Sequence, residues 1–156
     1  MSAKKSDGRM IAENRKAFHE YFIIEEMEAG IELTGTEVKS LRNHNVNLRD
    51  SFARIVEGEL WLERAHISPY EHGNRFNHDP FRRRRLLMKK HQIARLAGKM
   101  REKGFTLVPL RLYWKGNWAK ISVALVKGKA MYDKRESIKD REGKRIVERA
   151  LRESVR

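Results

Sequence analysis

Two runs of strict alternation in the second half of the chain constrain its fold most. Val108, Leu110, Leu112 and Trp114 alternate with Pro109, Arg111 and Tyr113; after Lys115-Gly116-Asn117, Ala119, Ile121, Val123 and Leu125 alternate with Lys120, Ser122 and Ala124. A period of two places each apolar set on one face of a strand. The Gly-Asn pair between the runs supplies the turn of a hairpin. The fold is therefore organised around an antiparallel sheet with one buried face. Pro109 has no N–H to give a ladder, so its strand should be bulged or at an exposed edge there.

Other elements fit around that hairpin. Tyr21, Phe22, Ile23 and Ile24 mark a strand over residues 19–26, Glu28-Ala29-Gly30 reads as a turn, and Ile31-Glu32-Leu33 as a second strand. Gly35-Thr36 opens a short helix, with Thr36 as its N-cap, that runs to Arg42 and turns Val38 and Leu41 inward. Residues 51–56 and 59–67 flank Glu57-Gly58 as another hairpin. Residues 68–80 form a polar loop, and Ile93, Leu96, Ala97 and Met100 give a single-faced helix stopped near Gly104. The organisation is a flexible arm at 1–13, a folded body at 14–127 and a basic tail at 128–156 that is disordered when free. About six strands and two or three short helices make the chain mainly β and suit an OB-like antiparallel β-barrel, which closes its sheet and leaves a face for nucleic acid.

Charge points to the partner. Lys and Arg number 35 against 21 acids, a net +14 that favours a polyanion. From residue 127 onward, 11 bases oppose six acids, net +5, around a thin stripe of Ile146, Val147, Ala150 and Leu151. Basic clusters occur at Arg15-Lys16, at Lys39 and Arg42, and at Arg82-Arg83-Arg84-Arg85 ahead of the long helix. The arginine run repels itself unless counter-anions or an RNA backbone offset it. Tyr113, beside Arg111, and Tyr132, in the tail, are candidates for stacking on bases; Trp61, Trp114 and Trp118 could stack too, but core packing is the favoured reading for them.

Several function classes drop out. The chain has no cysteine, none of its six histidines has metal-site spacing, and no P-loop, GxGxxG or GxSxG is present. No metal, cofactor or active site is expected, and the chain reads as no enzyme. No apolar run reaches the ~18–20 residues of a membrane span, and residues 1–8 lack a signal peptide's apolar stretch, so a cytoplasmic location is expected. A structural ribosomal protein and a nuclease remain as competing classes; the nuclease lacks a metal or histidine pair.

Specific motifs go further than composition. Asn14-Arg15-Lys16-Ala17-Phe18-His19-Glu20-Tyr21, Glu28-Ala29-Gly30-Ile31-Glu32-Leu33, Gly35-Thr36-Glu37-Val38-Lys39-Ser40-Leu41-Arg42, Asn47-Leu48-Arg49-Asp50-Ser51 and His66-Ile67-Ser68-Pro69-Tyr70 occur in that order. Gly104-Phe105-Thr106-Leu107-Val108-Pro109-Leu110, Leu112-Tyr113-Trp114-Lys115 and Gly128-Lys129 before Asp133-Lys134-Arg135 follow. Together they resemble the SmpB family of SsrA-binding proteins over nearly the whole chain. The resemblance implies an OB-like barrel that binds the tRNA-like domain of transfer-messenger RNA (tmRNA) and delivers it to stalled bacterial ribosomes for trans-translation. It further implies that the barrel replaces the anticodon arm, that the tail becomes helical in the decoding centre of 16S rRNA and the mRNA channel, and that elongation factor Tu is met through the shared RNA; neither DNA nor membrane is a partner.

Carried over residue by residue, the RNA face comprises Arg15, Lys16, Glu28, Lys39, Ser40, Arg42, Asn47, Asp50 and Ser51. The arginine run 82–85 joins it on charge. The ribosome-facing segment comprises Lys129, Tyr132, Asp133, Lys134, Arg135, Lys144, Arg145, Ala150 and Leu151. His44 stands where the family commonly has glycine, which predicts a differently shaped turn, and Gly143 replaces a tail aromatic found in some members.

Overall fold

The computed structural model describes residues 8–70, 77–102 and 104–129. In chain order the elements are β1 (Gly8–Glu13), α1 (Arg15–Glu20), β2 (Tyr21–Ile31), α2 (Gly35–Arg42), β3 (Val46–Asn47), β4 (Phe52–Val56), β5 (Glu59–Glu63), β6 (His66–Ile67), β7 (Arg84–Leu87), α3 (Lys90–Met100), β8 (Phe105–Lys115) and β9 (Trp118–Gly128). Neighbours run β1-β8-β4-β5-β7-β2-β9, and β8 also pairs with β9. That last pairing closes β8, β4, β5, β7, β2 and β9 into a six-stranded antiparallel ring, with β1 added outside it. β3 and β6 form a separate two-stranded ladder.

The β8–β9 hairpin is the long pair expected, and the break in register falls between Pro109 and Arg111. The bulge matters because it inverts the alternation. Leu107 faces the main core before it and Leu112 faces the same core after it, while Val108 and Leu110 join Ala17, Ala124 and Val126 in a second cluster beneath α1. One strand thus feeds two apolar layers. The main core holds Leu60, Leu62, Leu86, Leu96, Ile121, Val123 and Leu125, each contributing about 1.5–3 kcal/mol by leaving water.

Three sequence expectations need correction. The segment Glu28-Ala29-Gly30 makes no turn; β2 runs straight through it, paired to β9 from Tyr21 to Gly30 and to β7 at Gly30 and Ile31. Gly30 is there because a Cβ would stand 3.3 Å from that of Leu87, where β2 passes between two neighbours. The arm expected at 1–13 is a strand from Gly8, laid along β8. Its irregular register between Met10 and Ala12 hid it: only Ile11 is buried, so no alternation appears in the sequence. The N-cap of α2 is Thr34, not Thr36, in a capping box with Glu37.

His44 is a milder surprise. It adopts the left-handed φ of 58° that a glycine would take, so the turn keeps its form. Its Nδ1 donates to the Ile11 carbonyl at 3.2 Å, at the residue where the β1 ladder loses register. The hydrogen bond offsets the backbone strain and fastens β1 to the end of α2.

Candidate nucleic-acid interface

α1 presents the first basic pair. Its N-cap Asn14 accepts from the Ala17 N–H, and its own N–H and Nδ2 donate to Leu110 and Pro109 carbonyls at 2.8 and 2.9 Å. The carbonyl at the β8 bulge is thereby used to seat the helix. Arg15 stays exposed, 3.8 Å from Glu13. Lys16 reaches Asp50 at 2.6 Å, and their hydrogen bond raises the lysine's pKa and lowers the aspartate's.

Asp50 belongs to a tight loop before β4. It has φ 63°; Asn47 Oδ1 accepts the Arg49 N–H, and the Ser51 hydroxyl and N–H both return to the Leu48 carbonyl. Asp50 and Arg64, which also has a left-handed φ of 63°, stand between two open clefts. One, of about 520 Å³, is lined by Lys16, Tyr21, Ser51, Phe52 and Arg64. The other, of about 550 Å³, is lined by Asn47, Arg49, Arg64, His66 and Phe81. In the first cleft Glu20 and Asp50 balance Lys16 and Arg64, whereas in the second Arg49 and Arg64 outnumber Asp50 beside the His66 and Phe81 rings.

α2 adds Lys39 and Arg42, both exposed, with the Lys39 ammonium 5.3 Å from the Tyr70 ring centre. Ser40 does not face solvent. It is fully buried, and its hydroxyl donates to the Ser68 carbonyl at 2.7 Å. Ser51 is likewise buried. Both expected RNA contacts are instead ties that hold the loops carrying the exposed bases, as befits small hydroxyls that compete for backbone partners.

The arginine run departs furthest from expectation. It enters a strand at Arg84 rather than a helix, so Arg84 and Arg85 point to opposite faces. Arg84 is fully buried: Nε donates to Glu37 at 2.6 Å, Nη1 to the Ala65 carbonyl at 2.8 Å, and Nη2 to the Pro80 and Asp79 carbonyls at 3.1 and 3.4 Å. Arg82 also grips Glu37 at 2.6 Å. Arg83 lies 4.4 Å over the Trp61 ring and 3.9 Å from Glu63; Arg85 is within 3.5 Å of Glu32 and 3.4 Å of Glu59. The counter-anions are the protein's own. Burial would raise the Glu37 pKa, but hydrogen bonds from Arg82 and the Thr34 N–H, with the Arg84 charge, hold it below the usual carboxylate range.

Glu28 lies elsewhere, on β2 opposite Ser122 of β9. It accepts from the Tyr113 hydroxyl and from Lys115 at 3.4 Å, both reaching across from β8. Burial opposes ionisation of Glu28, yet these two donors bring its pKa below normal, while burial and the carboxylate push Tyr113 up. Tyr113 is thus committed to a cross-strand bond. Trp118, expected in the core, is 73% exposed where β9 leaves the turn. Lys129 sits 5.5 Å from the Phe22 ring centre; Tyr132, Asp133, Lys134, Arg135, Lys144, Arg145, Ala150 and Leu151 lie outside the described residues.

Sequence reasoning missed Arg49, Arg64, His66 and Phe81 as site residues. Arg49 sat inside a quoted motif, and Pro80-Phe81 before the arginines was a visible aromatic in a polar stretch; nothing in the sequence announced Arg64. Among the described residues no three His, Asp or Glu side chains converge as a metal site, and no helix is long and apolar enough to cross a membrane.

A closed antiparallel barrel with cations and aromatics around open clefts is the build of an OB-like nucleic-acid-binding protein. The comparisons narrow that class. The family model for SmpB protein matches residues 11–153. SsrA-binding proteins of Carboxydothermus hydrogenoformans, Desulforudis audaxviator and Geobacillus kaustophilus are similar at 65%, 60% and 55% identity, over 92%, 92% and 96% of this chain and 97%, 94% and 96% of their own. A solved chain described under "tmRNA-SmpB: a journey to the center of the bacterial ribosome" is similar with a TM-score of 0.65 and 52% identity, over 76% of this chain and 83% of that one. The chain belongs to the SmpB family.

Proposed function

We propose that this protein binds the tRNA-like domain of tmRNA and carries it to stalled bacterial ribosomes for trans-translation. One observation on the molecule supports this most directly: Lys16, Arg49 and Arg64 gather around paired clefts, in a chain whose relatives are SsrA-binding proteins. The role is that of a non-enzymatic adaptor in the bacterial cytoplasm. Arg15, Lys16, Asn47 and Asp50 with Arg49 and Arg64 form the RNA face, continued by Lys39 and Arg42 on α2. Glu28 contributes by ordering Tyr113 and Lys115, and Ser40 and Ser51 by holding their loops. Arg82, Arg83 and Arg85 lend positive potential from paired side chains.

The barrel takes the place of an anticodon arm, and the tail from Lys129 enters the empty decoding centre and mRNA channel, with Tyr132 stacking on a base of 16S rRNA. Elongation factor Tu is met through the shared RNA. The test is binding of the purified tRNA-like domain across a salt series. Each phosphate contact releases counterions, so log affinity should fall with log salt by about 0.7–0.9 per contact. A flat dependence, or equal affinity for unrelated duplex RNA, would refute the reading.

A further inference from the structure

Phe81 is 59% exposed at the rim of the 550 Å³ cleft, its ring edge-on to His66 with centroids 4.8 Å apart. A lone exposed apolar side chain on a surface needs no explanation. This one differs because the turn beneath it is held rigidly from inside. The buried Arg84 guanidinium donates to the Asp79 and Pro80 carbonyls, the Ile67 N–H donates to the same Pro80 carbonyl at 3.0 Å, and the Phe81 N–H is held by Asp79 Oδ1 at 2.9 Å. The backbone that carries the ring is therefore fixed, which lowers the ordering cost of any contact the ring makes.

The surroundings say what that contact is. The cleft beside the ring lies within the ~300–1,000 Å³ of small-ligand sites and offers Arg49 and Arg64 for a phosphate, with Asn47 and Asp50 for a ribose hydroxyl or base edge. Both Asp50 and Arg64 adopt left-handed φ, the kind of local strain that collects at binding sites. An aromatic face on a fixed turn, two arginines against one carboxylate that Lys16 already pairs, and the Asn47 amide around one hollow match a nucleotide. We propose that this cleft receives a single unstacked nucleotide of the bound RNA, its base against Phe81 and its phosphate between Arg49 and Arg64. The assignment rests on the RNA-binding reading above and adds to it the residue that clamps a base.

The test compares wild type, Phe81→Leu and Phe81→Trp for binding the isolated tRNA-like domain at several salt concentrations. Stacking is independent of counterion release, so Phe81→Leu should weaken binding roughly 5- to 150-fold at every salt, with the salt slope unchanged. Phe81→Trp should restore it. The exposed ring leaves the fold undisturbed, which circular dichroism and urea midpoints of both variants check. Binding by Phe81→Leu equal to wild type overturns the clamp while leaving the functional reading intact. So does loss of ribosome rescue at unchanged affinity for the tRNA-like domain, which would assign the ring to a contact with the ribosome. Failure of the wild type to bind this RNA would overturn the functional reading, and the clamp with it.

Discussion

Replacing Glu37 by glutamine isolates the buried ion pair that joins α2 to β7. Glu37 and Arg84 both have side chains with no solvent exposure, and Arg84 Nε meets the carboxylate at 2.6 Å. Without that carboxylate the guanidinium keeps three carbonyl acceptors, from Ala65, Asp79 and Pro80, and only the exposed Asp79 carboxylate as a more distant counter-charge. Removing one partner of a buried pair typically costs about 3–5 kcal/mol, because the other charge is left uncompensated. The capping-box bond to the Thr34 N–H at 2.8 Å survives in glutamine's amide oxygen, so helix capping does not confuse the measurement. Urea denaturation at pH 7 should show the midpoint falling with the m-value unchanged. Combining Glu37→Gln with Arg84→Met should restore part of the loss, with a coupling of about 1–3 kcal/mol. The pH dependence follows in sign. The folded pKa of Glu37 is depressed, so its contribution is complete above the unfolded carboxylate range and is lost as pH falls through the folded value. The variant's stability profile should therefore be flatter on the acid side. A Glu37→Gln midpoint equivalent to less than 1 kcal/mol below wild type would refute this account.

Three further outcomes are expected. Glu25, bound by Arg95 at 2.6 Å and Lys99 at 3.0 Å, has its pKa drawn down to about 2; Arg95→Ala should move it back toward the ordinary ~4.3 in an NMR titration, and an unmoved value would contradict the pairing. His44→Ala should cost about 1 kcal/mol through the lost bond to Ile11, while His44→Gly should lie close to wild type because glycine relieves the left-handed backbone; urea midpoints decide. Deleting residues 137–156 should leave affinity for the isolated tRNA-like domain within about twofold yet abolish release of stalled ribosomes, and parallel loss of both would place the tail in the RNA-binding body.

The β8–β9 hairpin, α2 and α3 were legible because each satisfies a local rule: alternation around a turn, or an apolar face at helical spacing. The bulge at Pro109 was legible too, since a missing N–H has few places to go. β2 was legible only in pieces: the strand signal at residues 21–24 holds, but Glu28-Ala29-Gly30 carries the composition of a turn while the reason for Gly30 is a neighbour distant in sequence. The arginine run misled for a related reason. Four identical residues show no period, so a run that buries Arg84 and leaves its neighbours partly in solvent looks like a uniformly charged surface. At the candidate site, Lys16 and Asp50 were named from motifs, and the structure pairs them at the edge of a cleft. Arg64 was not, because its place depends on a left-handed turn and a cleft assembled from separate loops.

The ring closure bears on how the chain reaches this shape at all. Tyr21 pairs with Gly128 and Gly30 with Lys120, so the seam joins an early strand to the last one before the tail. The β4–β5 and β8–β9 hairpins can form from local sequence, whereas the seam awaits the loop-closure entropy of nearly the whole body. Folding should thus end at this seam, and β2 stays a bare edge until β9 arrives. Any chain cut short before β9, as by a truncated message, keeps that edge open and exposed to pairing with other chains. A copy ending before Trp118 would lack β9 altogether and could not close the ring.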